Sequence, residues 1–547
     1  MFKKNIDNEA LTVGSVLLPI LEKLGIDTIF GIPGVHTVEI YRGLEKTKIK
    51  HITPRHEQSA GFMADGYFRA CGKPGVCLVI TGPGLTNILT AMAQARADSI
   101  PMLVISSVNP YKKSDNSSGL LHELPHQQKL LKKIALSSLT ITKSKDLLPA
   151  ITKSFCKMLE ERPGPVHIEI PTDILTLKIH SLKKIKSSQK KKQIILNIKE
   201  LNKVVDYLSK AKYPILLLGG GAKGCDKYIL EIVNKINPIV ITTTNARGLL
   251  GNHPMCIPAS PTLLTVRKEL KKADIVLAIG TEFGETDYDM YKDGNFPELK
   301  KLFRVDISKN QLSKNVQPDI AIRSKSYNFC KKLSEILLTK KEYNKHSLYT
   351  SKKAKKIRLN CLKEVEPKLK KPLDLILRIS NNFPNAILVG DSTQPIYAGN
   401  LYTSTHKKGK WFNSATGYGT LGYAPPASIG AKLAKPNKPV ICIVGDGGLQ
   451  FSLAELMTAS DEKISVIFLI WNNFGYKEIK DFMVSKTVNP VGVNIKPPDL
   501  KQQAASFNLS YYGLINRYNL VKTLEKQLRK KNLHYWKFVK MNTSTQS

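Results

Sequence analysis

Short apolar runs, each closed by glycine or a small polar cluster, alternate along the chain with stretches whose apolar residues recur at helical spacing. VCLVI (76–80), MLVISS (102–107), YPILLLGGG (213–221), PIVITTT (238–244), AILVGDSTQP (386–395), VICIV (440–444) and ISVIFLIW (464–471) are such runs. An unbroken apolar run of this length reads as a strand buried on both faces, the pattern of a parallel sheet covered by helices. Helical spacing shows in residues 11–24, in 58–70 after a strand expected to end at Arg55-His56-Glu57, and after Gly475. The alternation predicts an α/β protein of three doubly wound parallel-sheet domains, over residues 1–175, 196–340 and 370–547. Residues 176–195 are polar and basic and read as a linker, and the lysine-rich 341–370 as a linking or helical segment. Residues 500–547 read as one last helix–strand unit with a polar tail.

Two strand ends carry the chemistry. VICIV runs into Gly445-Asp446-Gly447-Gly448, and ISVIFLIW ends in Asn472-Asn473. In a doubly wound sheet both clusters lie at the carboxyl edge, where such sheets bind ligands. Mg²⁺ takes hard oxygen ligands, a few from protein and the rest from phosphate and water. Asp446 offers a carboxylate, Asn473 an amide oxygen and Gly475 a backbone carbonyl. Gly445, Gly447 and Gly448 let backbone N–H groups approach a diphosphate at a helix start. Ser392, Thr393 and Gln394 close another strand and suit a phosphate. Alone, GDG is an ordinary strand–turn–helix with Asp446 as its cap. The Asn-Asn strand end at this spacing favours a magnesium diphosphate.

The GDG-to-NN spacing resembles the signature of thiamine diphosphate enzymes of the acetolactate synthase and pyruvate decarboxylase superfamily. RHEQSAGFMADGY (55–67), GPGLTN (82–87) and ADSIPMLVISS (97–107) resemble that family's pyrimidine-binding domain. The resemblance implies that Asp446, Asn473 and the Gly475 carbonyl hold Mg²⁺ and that Gly447 and Gly448 line the diphosphate. It also implies cofactor contacts from Gly84, Asn87 and Tyr476, a Gly419 carbonyl that accepts from the 4′-amino group, and Leu421 as the residue that bends the cofactor. Glu57 would meet the aminopyrimidine and promote formation of the C2 ylide. That ylide attacks a 2-oxo acid, and loss of CO₂ leaves an enamine. A carboxyl group in an apolar pocket can share a proton near neutral pH, as that role needs. Without the resemblance, Glu57 is a helix-N-terminal glutamate favoured by the dipole. A homodimer or homotetramer is implied as well, each active site taking its pyrimidine end from one subunit and its diphosphate end from another.

The reaction depends on residues over the reacting carbon. Val35 and His36 in GIPGVH and His122 in LLHELP depart from the glycine and glutamine usual in acetolactate synthases. The acidic residue and paired histidines of pyruvate decarboxylases are missing too. GIPGVHTVEIYRGL, RHEQSAGFMADGY, LHE and GTEFGETDYD together most resemble the 5-guanidino-2-oxopentanoate decarboxylases of arginine breakdown. His36 and His122 are then candidate proton donors to the enamine, because histidine titrates near neutral pH; a structural, hydrogen-bonded role is the plain reading of each. Glu123, Glu478 and Asp481 are candidate partners for a guanidinium, or else surface charge. The alternative enzyme is an acetolactate synthase catalytic subunit, condensing two 2-oxo acids.

Composition adds limits. A formal net charge of +39 raises a different class, a basic nucleic-acid-binding protein. The lysines, however, gather in stretches without interleaved aromatics, such as 183–192 and 352–356, and read as solvated surface. Eight cysteines without a CxxC pair argue against a zinc ribbon and suit a reducing compartment. No apolar run approaches a membrane span, and MFKKNIDNEALTVG lacks the apolar core of a signal peptide, so a cytoplasmic location is expected. Gly219-Gly220-Gly221 is not a full GxGxxG, and the region after Gly251-Asn252-His253-Pro254 lacks a glycine-rich loop, which speaks against FAD. Glu282, Glu285, Asp287 and Asp289 form an acidic run, read as a solvated strand end or a cation site.

Overall fold

The computed structural model describes residues 11–113, 118–179, 194–288, 296–339, 347–403, 409–514, 518–529 and 537–542. It contains three six-stranded sheets in which every pairing is parallel. The first comprises β1 (Thr28–Gly31), β2 (Lys50–Ile52), β3 (Gly75–Val79), β4 (Met102–Val108), β5 (Ser138–Thr140) and β6 (Pro165–Pro171), in the order β2-β1-β3-β4-β6-β5. The second comprises β7 (Pro214–Leu218), β8 (Ile239–Thr242), β9 (Cys256–Ile257), β10 (Ile275–Ile279), β11 (Leu302–Asp306) and β12 (Ile320–Arg323), in the order β12-β11-β10-β7-β8-β9. The third comprises β13 (Ile387–Gly390), β14 (Trp411–Asn413), β15 (Val440–Gly445), β16 (Ile467–Asn472), β17 (Ser510–Leu514) and β18 (Lys537–Asn542), in the order β14-β13-β15-β16-β18-β17. Counted from its own first strand, the third sheet repeats the order of the first. In both, the chain reverses direction of travel across the sheet between the first and third strands, which sets the crevice there.

The expectation of three parallel-sheet α/β domains is met, with local differences. The strand placed before Glu57 is confined to β2, and residues 53–56 form a turn. The lysine-rich stretch holds the helix Ser351–Glu364, while most of the expected linker, 180–193, lies outside the described residues. The C-terminal region contains two helix–strand pairs rather than one: Leu500–Ser506 with β17, and Tyr518–Arg529 with β18. β18 is paired on both sides, with β16 and β17. Its sequence, KFVKMN, mixes in lysines and so lacks the unbroken apolar signature of the other central strands. Among the described residues no helix is long and apolar enough to cross a membrane.

The described residues of Met1–Lys191, Gly422–Asn437 and Ser452–Val466 form one compact unit, and those of Lys192–Leu421, Lys438–Phe451 and Ile467–Ser547 a second. In the first unit the helix Ala424–Ala434 lies against the helix Glu57–Cys71. A Cβ added to Gly66 would stand 2.0 Å from the Ala427 carbonyl oxygen, and one added to Gly430 would stand 1.9 Å from that of Met63. Backbone therefore rests on backbone at two points. Beside the crossing, Arg69 Nε donates to Asp65 Oδ1 at 2.6 Å and Nη2 to Asp98 Oδ2 at 2.6 Å. Tyr423 donates its hydroxyl to Asp65, and Gln94 donates to Asp98 at 2.8 Å. The three charged side chains are almost wholly buried. Burial pushes the Asp65 carboxyl up, against the pull of Arg69 and the Tyr423 hydroxyl. One guanidinium serves two carboxylates, so the neutral donors Tyr423 and Gln94 share the excess negative charge.

The second unit holds the other two sheets. They meet where Ser260 N donates to Leu401 O at 2.8 Å and the buried Arg247 donates from Nη2 to Asn400 O at 3.0 Å. The glycine run after β7 has a packing purpose. Gly221 N donates to Gly280 O at 3.0 Å, and a Cβ on Gly219 would stand 2.1 Å from that oxygen. Asp287, from the acidic run, accepts from Thr244 N at 3.1 Å. Burial pushes its carboxyl up to about 6, opposed by that bond and by Arg247. It acts as a loop tie inside the unit; Asp289 lies outside the described residues.

Replacing Arg69 by Met would leave two facing carboxylates buried without their cation, an expected loss of about 3–5 kcal/mol. Tyr423→Phe removes one bond to a charged acceptor, an expected loss of about 2 kcal/mol. Urea unfolding of the two variants beside the parent chain checks both the order and the size.

Candidate active site

In the first unit, Glu57 opens the helix Glu57–Cys71. His56 caps it, its Nδ1 accepting from Gln58 N at 3.1 Å. A carboxylate in the first turn is favoured by the helix dipole. Asn87, on the helix Pro83–Ala97, donates from Nδ2 to Glu57 Oε2 at 2.9 Å. Two glycines make that bond possible. A Cβ on Gly61 would lie 2.4 Å from Ala91 Cβ, so the two helices run close, and a Cβ on Gly84 would lie 2.7 Å from Ile80 Cγ1 and 3.3 Å from Glu57 Oε1. Glu455 was not marked by any pattern in the sequence. It is buried, accepts from Arg55 N at 3.0 and 3.2 Å and from Thr458 Oγ1 at 2.7 Å, and so anchors the turn that enters Glu57.

His36 and His122 come together in the same unit. Their ring centroids are 5.4 Å apart with planes at 88°. His36 follows β1 in a turn closed by Thr37, whose N donates to Gly34 O at 2.8 Å. His122 has φ of 56°, in the left-handed region, and its carbonyl lies over Gly82. A Cβ on Gly82 would stand 2.3 Å from that carbonyl oxygen, and Gly82 itself has φ of 61°. The Nδ1 atoms of both histidines are buried, with no hydrogen-bond partner among the described residues. Burial, and then the facing His122, hold the His36 imidazole below its ordinary value. Val35, beside His36, is 68% exposed. Glu123 turns to its own loop, accepting from Ser118 N and Leu120 N at 3.1 Å each.

In the second unit, Asp446, Gly447, Gly448, Asn473, Gly475 and Tyr476 gather at the ends of β15 and β16. Asp446 is buried, its Oδ1 accepting from Asn473 N at 3.3 Å and its Oδ2 from Gly475 N at 3.0 Å. Burial pushes its carboxyl up while these N–H groups pull it down. One end of the Asn473 side-chain amide lies 2.9 Å from Gly475 O and 3.1 Å from Asp446 Oδ1. With nitrogen inward it donates to both. With oxygen inward, three oxygens converge at the spacing of neighbouring ligands on an octahedral Mg²⁺, roughly 2.9 Å for bonds of about 2.0–2.1 Å. One carboxylate plus neutral oxygens is the donor set a magnesium diphosphate requires, and the residues fit it. Gly475 has φ of 134°, and its Cβ would meet Val493 O at 2.3 Å. A Cβ on Gly447 would meet the Tyr476 ring at 2.7 Å, so Tyr476 packs against the Gly447 backbone.

Ser392, Thr393 and Gln394 follow β13 in that unit. Ser392 Oγ is 3.3 Å from Ser414 Oγ, and Thr393 lies beside Gly445. Gln394, expected to face a phosphate, is engaged at both ends of its amide: Oε1 accepts from Trp471 Nε1 at 3.2 Å, and Nε2 donates to Glu478 Oε2 at 3.5 Å. Gly419 has φ of 75° with no atom within 4 Å of its Cβ position, which leaves its backbone open to a ligand. Leu421, two residues on, is half-buried. Asp481 accepts from Lys477 at 2.6 Å, four residues earlier on the helix Lys477–Ser485.

Comparison with known proteins gives the following. Residues 11–132 match the N-terminal TPP binding domain of thiamine pyrophosphate enzymes, 201–333 the central domain and 391–535 the C-terminal TPP binding domain. The chain is 36% identical over 494 residues to a Pseudomonas aeruginosa protein named "Probable 2-ketoarginine decarboxylase AruI", covering 90% of this chain and 87% of that one. It is 32% identical over 495 residues to an acetolactate synthase large subunit of Buchnera aphidicola subsp. Schizaphis graminum, covering 87% and 84%. It is 29% identical over 481 residues to the acetolactate synthase isozyme 1 large subunit of Escherichia coli, covering 84% and 82%.

The histidine pair generates a titration test. His36 is expected to titrate below its ordinary value, and His122→Asn, which removes the facing imidazole, is expected to raise it. Ring-proton NMR of selectively labelled histidines reads both values.

Proposed function

The chain belongs to the thiamine pyrophosphate enzyme family, and on that premise we propose that it is a thiamine diphosphate- and Mg²⁺-dependent decarboxylase of a 2-oxo acid, 5-guanidino-2-oxopentanoate. The observation that carries decarboxylation over condensation is the pair His36–His122, two imidazoles 5.4 Å apart at the carboxyl edge of the first sheet. A decarboxylase must hand a proton to the carbon that loses CO₂, and imidazole is the side chain suited to that near neutral pH. The substrate is supported by the relative at 36% identity, whose name carries 2-ketoarginine, the same compound. The same comparison includes acetolactate synthases at 32% and 29% identity, which keeps condensation as the competing activity.

Bound thiamine diphosphate supplies the electron sink for breaking C1–C2. The chain's residues supply the rest. Glu57 would hold a proton against the aminopyrimidine, its Oε2 fixed by Asn87 and its approach cleared by Gly84. Asp446, Asn473 and the Gly475 carbonyl would hold Mg²⁺, and Gly447, Gly448, Ser392, Thr393 and Tyr476 would line the diphosphate. Gln394, bonded to Trp471 of β16, would support that site. The Gly419 carbonyl and Leu421 would hold the cofactor's aminopyrimidine side. His36 and His122, paired edge to face, would pass the proton that releases an aldehyde. By the same resemblance we propose domains over 1–175, 196–340 and 370–547, and a homodimer or homotetramer whose active sites each draw on two subunits.

Supplied with thiamine diphosphate and Mg²⁺, the chain is expected to release CO₂ and the guanidino aldehyde from 5-guanidino-2-oxopentanoate. Rapid acetolactate from pyruvate alone would overturn the decarboxylase reading. Glu57→Gln is expected to keep cofactor binding, followed by tryptophan fluorescence, while turnover falls about 10²–10⁴-fold. Asp446→Ala is expected to lose the Mg²⁺-dependent part of that binding.

A further inference from the structure

Three carboxylates stand as candidates to meet a guanidinium, and their surroundings separate them. Glu123 is committed to two backbone N–H groups of its own loop. Asp481 is paired along its own helix with Lys477. Glu478 is held in another way. Its Oε2 accepts from Gln394 Nε2 at 3.5 Å, and Gln394 is buried and held at its other end by Trp471. Gln394 opens the helix that follows β13, and Trp471 lies in β16 just before Asn472-Asn473. Glu478 is thus tied to the framework of the metal–diphosphate residues. Its Oε1 faces a cation of the chain itself: Lys368 Nζ lies 3.3 Å away and also 3.9 Å from Glu366.

We infer that Glu478 is the subsite for the positively charged end of the 2-oxo acid, and that Lys368 is a placeholder ammonium which the substrate's guanidinium displaces. The inference rests on the decarboxylase reading of the same site. Lys368 is about half exposed and Glu478 somewhat less. An exposed pair of this kind is worth about 0–1 kcal/mol, so displacing the lysine costs little. A guanidinium replaces one point contact with two parallel N–H···O bonds, which an ammonium cannot make. Gln394 holds the carboxylate in place without adding charge, so the order of the site does not depend on the substrate being present. With an uncharged 2-oxo acid, Lys368 stays on Glu478 and no bare charge remains. The subsite therefore rewards a cation without rejecting a neutral side chain, and the resulting preference is graded.

The test compares 5-guanidino-2-oxopentanoate with the uncharged 2-oxohexanoate, using the full chain with thiamine diphosphate and Mg²⁺. In Glu478→Gln, which keeps a group able to bond Gln394, the ratio of kcat/KM for the guanidino acid over 2-oxohexanoate is expected to fall at least about tenfold, the scale of one charge-assisted hydrogen bond. In Lys368→Met the same ratio is expected to rise about two- to threefold, because the competing ammonium is gone. Calorimetric binding of the two acids to parent and variant supplies a readout that needs no turnover. Loss of the guanidino preference in Glu478→Gln supports the subsite, by either readout. An unchanged ratio and unchanged relative affinities overturn it, as does an equal loss for both acids, which would make Glu478 a general support of the site. A parent chain that binds the guanidino acid selectively through Glu478 but releases no CO₂ overturns the decarboxylase reading alone.

Discussion

A strand hydrogen-bonded on both sides and covered on both faces can present a polar side chain to a ligand only at its ends. That constraint organises this protein. β15 and β16 are buried along their length, and the oxygens that fit a cation appear only where they stop, at Asp446, Asn473 and Gly475. The first sheet follows the same rule, with His36 after β1, Glu57 beyond β2 and Gly82 after β3. Because the first and third sheets share one strand order, the two sets occupy related edges of related scaffolds. One edge carries imidazoles and a carboxylate that can exchange protons; the other carries hard oxygens.

The two units treat buried charge differently. Arg69 bridges Asp65 and Asp98, and Tyr423 and Gln94 donate to the two carboxylates. Such a group contributes shape more than energy, since desolvation consumes most of what the ions gain. Asp446 is equally buried but is met by two backbone N–H groups rather than a guanidinium. A carboxylate held in this manner keeps its capacity for a metal. The difference separates a carboxylate paired with a cation of the chain from one met by backbone N–H groups.

What could be read in the sequence follows from the same physics. Unbroken apolar runs exposed the buried strands, and the glycine and amide clusters at their ends marked Asp446, Asn473 and Gly475, which the structure brings together. β18 was hidden because its lysines break the run. Glu455 was hidden because its partner Arg55 is 400 residues away and nothing local marks the pair. Gln394 was read as facing phosphate because its residue type and strand-end position suit one; only the geometry shows Trp471 and Glu478 taking both ends of its amide. Asp287 looked like one of a row of solvated acids, and Thr244 and burial make it a tie within its unit. In each case the deciding partner is distant in sequence, where periodicity carries no information.

The backbone contact between the helices Glu57–Cys71 and Ala424–Ala434 bears on how the chain is made. Tyr423 and Asp65 are separated by 358 residues. At about 5–20 residues per second, a ribosome needs on the order of 20–70 s to supply the second helix after the first has emerged. During that interval Asp65, Arg69 and the bare glycine face of the first helix wait for a surface that does not yet exist. The core on one side of the amino-terminal sheet draws only on residues 13–179 and needs no later segment, whereas the face that receives the helix Ala424–Ala434 stays uncovered until that helix is made.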